Sequence, residues 1–123
     1  MNTILPQEIR ELLKDSDALM PAIAQDSLSG EVLMLAFVNA ESLALTIESG
    51  FATYFSRSRN QIWKKGETSG HLQKIVSISL DCDGDAILFQ VIQEGSACHT
   101  GEFTCFHREV FPSRDADSNG ITE

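Results

Sequence analysis

Apolar residues recur three and four apart at Ile9, Leu12 and Leu13, behind a proline that suits a helix start. This predicts a short amphipathic helix from Pro6 to Lys14, ended by Asp15-Ser16-Asp17. Ala22–Asp26 and Glu31–Val38 read as two strands around the turn Ser27-Leu28-Ser29-Gly30. Asn39 can cap a helix over Ala40–Ser49 that stops at Gly50, with Leu43 and Ile47 facing the core. Ala52–Ser56 predicts a short strand, and residues 57–70 mostly loop. In Leu72–Leu80, Leu72, Val76, Ile78 and Leu80 fall on one face and Gln73, Ser77 and Ser79 on the other, with Lys74 and Ile75 breaking the pattern. Ala86–Ile92 is nearly all apolar and predicts a buried strand. Residues 94–101 predict a loop, Phe103–Val110 a last strand. The fold class is therefore α+β, mostly antiparallel strands with about two helices.

The length of 123 residues allows one domain, taken as residues 1–110 with its core in 20–110, followed by a polar tail at 111–123. The longest apolar run, Val32–Val38, has seven residues, far short of a membrane span. The N-terminus turns polar too soon for an export signal, and three cysteines are an odd number for a disulfide framework. A cytoplasmic location with free thiols is the expectation.

Charge adds a regional signal. The net charge of −9 argues against nucleic acid or anionic membrane as partner. Yet five of the nine cations, Arg57, Arg59, Lys64, Lys65 and Lys74, lie within residues 57–74 beside one anion, Glu67. A solvated basic loop is the plain reading. A site for a small, highly charged anion is the sharper one, since Gly66, Ser69 and Gly70 let backbone N–H groups approach phosphate oxygens.

The densest chemistry is Asp81-Cys82-Asp83-Gly84-Asp85. In extended chain the three carboxylates project together, and such repulsion is relieved by a hard cation such as Mg²⁺. An EF-hand is excluded because Gly84 stands fourth and Ile92 twelfth. An acidic turn between strands is the plain alternative. Alternation turns Cys82 toward the face of Val76, Ile78 and Leu80. With Cys98 and Cys105 it makes up all the thiols of the chain, a soft set suited to Zn²⁺, although three unrelated core thiols would look the same. If the strand stays regular, the carboxylates and Cys82 serve opposite faces. Either Gly84 marks a bulge, or the two faces serve different sites across a dimer interface. The expectation is an intersubunit zinc site.

His99, beside Cys98, is the candidate general acid or base. His71 closes the basic segment, His107 reads as structural within the last strand, and Trp63 can either stack a planar ring or fill the core.

The segments GEVLMLAFVNAESL (30–43), ATYFSRSRNQIWKKGETSGHLQ (52–73), DCDGDA (81–86) and QEGSACHTGEFTCF (93–106) resemble, in order and spacing, those of phosphoribosyl-AMP cyclohydrolases. The resemblance implies a histidine-biosynthesis hydrolase that opens the adenine ring of phosphoribosyl-AMP at N1–C6. It implies Mg²⁺ at Asp81, Asp83 and Asp85, and Zn²⁺ at Cys82, Cys98 and Cys105, with Cys82 supplied by the other chain of a homodimer. From these ligand types and from residue placement the expectation is zinc-activated water as the nucleophile, His99 as the proton shuttle, and Arg57, Arg59, Trp63, Lys64, Lys65, Ser69 and His71 as substrate contacts. The length predicts the stand-alone form, without a fused pyrophosphohydrolase domain. His107 departs from the aromatic residue expected there, as does the acidic tail. Two rivals rank below: a zinc nucleoside deaminase, whose H-x-E and P-C-x-x-C motifs are missing, and a redox module built on Cys98 and Cys105.

Overall fold

The computed structural model describes residues 4–111. All but Phe111 of the expected polar tail lies outside the described residues. Eight elements follow in order: α1 (Gln7–Arg10), β1 (Met20–Asp26), β2 (Val32–Val38), α2 (Ala40–Ser49), β3 (Thr53–Ser56), β4 (Gln61–Lys64), β5 (Gln73–Leu80) and β6 (Ile87–Gln93). The strands form one sheet in the order β4-β3-β2-β1-β6-β5. Four neighbouring pairs are antiparallel, and β1–β6 is parallel. The class is α+β as expected, with a mixed sheet.

Helix α2 has the expected bounds because both ends carry their own stops. Asn39 Oδ1 accepts from Ser42 N at 2.8 Å, and Ser42 Oγ accepts from Asn39 N at 2.9 Å. This reciprocal cap contributes about 1 kcal/mol. At the other end Gly50 adopts φ 80° and donates to Thr46 O. Leu43 is buried, but Ile47 remains 38% exposed, contrary to the expectation that both face the core.

Helix α1 is a single turn, shorter than the Pro6–Lys14 expected. The chain turns tightly at Leu12 and Leu13, and Lys14 N donates to Gly84 O at 2.9 Å instead of extending the helix. The basic segment is also more regular than a loop. β3 and β4 make a hairpin whose four-residue turn ends at Asn60, the one non-glycine residue with positive φ (53°) among those described.

The alternation expected of residues 72–80 is broken by a bulge. Ile75 pairs with Val91 and Ser77 with Gln90, so Val76 is the extra residue. Val76 is 54% exposed, whereas Gln73, expected on the polar face, is fully buried. One extra residue exchanges the faces on either side of it. Gln73, Ile75, Ile78 and Leu80 consequently share the side of Phe89, and the apolar core is built there with Leu33, Val38, Leu43, Tyr54 and Val91.

The strand expected over Phe103–Val110 does not form. β2 and β3 touch through one pair, Phe37–Phe55, which leaves the outer edge of the first half of β2 open. Residues 104–105 use that edge: Cys105 N donates to Leu33 O at 2.7 Å, and Thr104 Oγ1 to Val32 O at 2.7 Å. Two such anchors satisfy the edge without a ladder.

Candidate metal centres and anion-binding cleft

The three aspartates come together, but by a turn and not by strand alternation. β5 ends at Leu80 and β6 begins at Ile87, and the connection is closed by Asp81 N donating to Ala86 O at 3.0 Å. Asp81 Oδ1 accepts from Asp85 N at 3.0 Å and Ala86 N at 3.2 Å, which folds the loop around its own carboxylate. Gly84 has φ 73°, and a Cβ there would lie 2.3 Å from Leu12 O. Only glycine fits this contact between loop and N-terminal segment. One carboxylate oxygen from each of Asp81, Asp83 and Asp85 lies within 4.8 Å of the others, the only such trio of ligand groups among the described residues.

Backbone donation from Asp85 holds the Asp81 carboxyl below its usual range. The Asp85 carboxyl is pushed up, first by its hydrogen bond with Asp81, then by desolvation and by the neighbouring negative charges, with Lys14 opposing at 3.9 Å. Carboxylates crowded in this way repel one another, and a divalent cation relieves that repulsion. The oxygen set fits a hard ion.

Cys82 is exposed at the tip of this turn, with Sγ 3.7 Å from Asp83 Oδ1. It does not lie against Val76, Ile78 and Leu80, because the strand on which that expectation depended has already ended. The other two thiols are brought together elsewhere. The loop after β6 folds back on itself: Ala97 N donates to Phe103 O and Cys98 N to Glu102 O. Thr100 Oγ1 donates to Cys98 Sγ at 3.0 Å, and chiefly this contact lowers the Cys98 thiol to about 6. Cys105 is exposed, and partial desolvation followed by the Cys98 charge pushes its thiol up. Two adjacent sulfurs, one already favouring thiolate at neutral pH, fit a soft ion such as Zn²⁺ but leave its tetrahedron incomplete. Cys82 is not part of the pair within the described chain.

His107, expected to be structural within the last strand, does not lie in a strand; its Nε2 is 3.9 Å from Cys98 Sγ. His99 is exposed next to Cys98. His71 is half-buried, with Nδ1 3.3 Å from Ser96 Oγ and its ring packed on Gly95, where a Cβ would be 2.4 Å away. His71 thus ties the basic segment to the thiol loop.

The basic residues divide into three settings. Arg59, Trp63, Lys64 and Ser69 line one open cleft of about 520 Å³. Arg57 stands 3.9 Å over the Phe37 ring and lines the neighbouring groove, which shares Trp63 as a wall. Lys65 turns away from both and reaches Ala97 O. Trp63 is half-buried, 5.2 Å from Tyr54 between ring centroids, so it serves core and cleft together. Beneath it lies a buried polar chain that the sequence did not reveal: Tyr54 Oη donates to Gln73 Oε1 at 2.6 Å, and Gln73 Nε2 donates to Gln93 Oε1 at 2.9 Å.

The aspartate trio could hold a metal ion, and a metal-dependent protein is the class this arrangement fits. The phosphoribosyl-AMP cyclohydrolase family matches residues 34–107. The chain is 58% identical to the phosphoribosyl-AMP cyclohydrolase of Natronomonas pharaonis over 81% of this chain and 83% of that one. It is 54% identical to the Archaeoglobus fulgidus protein of the same name, over 81% and 93%. It is also 54% identical to the histidine biosynthesis bifunctional protein of Thermus thermophilus, where the match takes in 78% of this chain and 45% of that one. The chain belongs to the phosphoribosyl-AMP cyclohydrolase family. Among the described residues no helix is long and apolar enough to cross a membrane.

Proposed function

We propose that the chain performs the reaction for which its family is named, as a cytoplasmic enzyme of histidine biosynthesis whose single domain spans residues 1–110. The reaction is hydrolysis of the N1–C6 bond of the adenine ring of phosphoribosyl-AMP. The observation that carries this reading is the pairing of two chemically distinct ligand sets, Asp81/Asp83/Asp85 and Cys98/Cys105, in a chain of this family. Mg²⁺ suits the first set and Zn²⁺ the second. Zinc, when bound, supplies the Lewis acidity that makes water a competent nucleophile near neutral pH.

Cys98 and Cys105 hold two positions of that metal, and Cys82 of the partner subunit supplies the third in a homodimer. Support for the homodimer comes from the incomplete thiol set and from an apolar row on the open face of the sheet. Leu35, Ile23 and Leu88 are direct neighbours across β2, β1 and β6, and Leu35 and Ile23 are 46% and 37% exposed. A row of this kind is what a second copy would cover.

Arg59, Lys64 and Ser69 bind one phosphate in their cleft, and Arg57 the other across Trp63. Holding both ends of the substrate fixes the purine beside the thiols, so that remote binding serves the reacting carbon. His99, at the mouth of the thiol loop, moves the proton between the entering oxygen and N1. His71 holds that loop against the basic segment.

The test is turnover of phosphoribosyl-AMP, followed by the ultraviolet change on ring opening, before and after chelation and with Zn²⁺ and Mg²⁺ restored separately. Activity lost on chelation and regained only with both ions is the expected result. A folded, zinc-loaded dimer without turnover would overturn the reading.

A further inference from the structure

The two adjacent lysines at the end of β4 face opposite ways. Gln61 and Trp63 lie on one side of the strand with the following Lys65, whose N–H continues the pairing by donating to Ala52 O at 3.1 Å. Ile62 and Lys64 lie on the other. The Lys64 ammonium stands 4.9 Å from the Phe51 ring centroid, and Lys64 is among the residues lining the open cleft. The Lys65 ammonium instead passes Trp63, 5.9 Å from its ring centroid, and donates to Ala97 O at 2.5 Å. Ala97 is 2% exposed and immediately precedes Cys98.

We propose that Lys65 is a positioning residue of the thiol site and not a phosphate ligand. Its ammonium fixes the Ala97–Cys98 backbone through Ala97 O and places a positive charge beside the thiol loop. This rests on the zinc reading given above. Three thiolates on one Zn²⁺ would leave the cluster with a net negative charge. A half-buried cation beside it offsets that charge, where solvent screening is weak. Lys64 is among the residues lining the open cleft, whereas Lys65 lines neither that cleft nor the neighbouring groove. Lys65 has already committed its ammonium to a buried carbonyl 32 residues away.

The experiment compares the full-length zinc-loaded protein with Lys65→Met, Lys65→Gln and Lys64→Met. Zinc retention is read by competition with a chromophoric chelator, and KM for phosphoribosyl-AMP is measured at saturating zinc. Partners that orient metal ligands are worth about 10–100-fold in metal affinity, and Lys65→Met is expected to lose that much with KM unchanged. Lys65→Gln keeps a donor for Ala97 O without the charge and falls between. Lys64→Met raises KM and retains zinc like the wild type. If Lys65→Met does not fold by circular dichroism, Lys65→Gln carries the same comparison. Lys65 variants that hold zinc as the wild type does while KM rises overturn the assignment alone. A wild-type protein that takes up no zinc overturns the underlying zinc reading together with it.

Discussion

Gly84 joins the acidic turn to the N-terminal segment, and replacing it with alanine measures what that junction is worth. Two costs add. A side chain at φ 73° carries the left-handed penalty of about 1–2 kcal/mol. Its Cβ would also sit 2.3 Å from Leu12 O and 3.2 Å from Lys14 N. Both are backbone atoms that no rotamer change can move, so the chain must shift, at about 1–3 kcal/mol. Gly30 separates the two costs, because it has φ 80° but a Cβ added there would meet nothing within 4 Å. Gly30→Ala should therefore lose about 1–2 kcal/mol and Gly84→Ala about 2–5 kcal/mol. At roughly 4 °C per kcal/mol, the melting temperature of Gly84→Ala should lie about 4–12 °C below that of Gly30→Ala. Scanning calorimetry of both variants without added metal reads this directly. Equal shifts would refute the idea that the acidic turn is seated on the backbone at Leu12.

Two further outcomes follow from the interior and the thiol loop. Tyr54→Phe removes the only described donor to Gln73 Oε1 in a fully buried setting, and should cost about 1–3 kcal/mol in urea unfolding; an unchanged midpoint would mean that water replaces the hydroxyl. In metal-free protein, Cys98 should react with iodoacetamide as a thiolate above pH about 6 and slow as pH falls through that value, because Thr100 stabilises the charged form. Cys105, raised by burial, should require more alkaline pH, and peptide mapping of the alkylated protein across pH separates the two.

Helix α2 was legible to the residue because Asn39, Ser42 and Gly50 are local signals that act within one turn. The hairpin of β1 and β2 was legible for the same reason. The faces of β5 were not, since the bulge at Val76 is set by pairing with Val91 and Gln90 and leaves no mark in an alternating run. The aspartates were legible as a group, but strand alternation is not what gathers them: their convergence depends on the hydrogen bonds of Asp81 to the loop backbone. Cys98 and Cys105 were identified by type, but their contact, His107 beside them and the turning of Lys65 toward Ala97 are all tertiary. Each depends on where a segment docks, and Phe103–Val110 docks on an edge left vacant by β3. Nothing in that segment's own composition announces this.

The parallel pairing of β1 with β6 has a consequence for how the molecule comes into being. β1 to β4 are joined by successive antiparallel contacts, and β5 and β6 form their own hairpin carrying the aspartates. Between these halves the sheet is continuous only along the β1–β6 seam, where Gln25 meets Gln90, assisted by the single bridge from Phe51 to Lys74. Each half can therefore organise early through nearby partners, while the central seam waits on closure of a long loop. The thiol loop follows β6 in the chain but takes its anchor from β2. Its seating on the sheet therefore depends on the two halves being joined, whereas the aspartate turn is closed by hydrogen bonds within the second half alone.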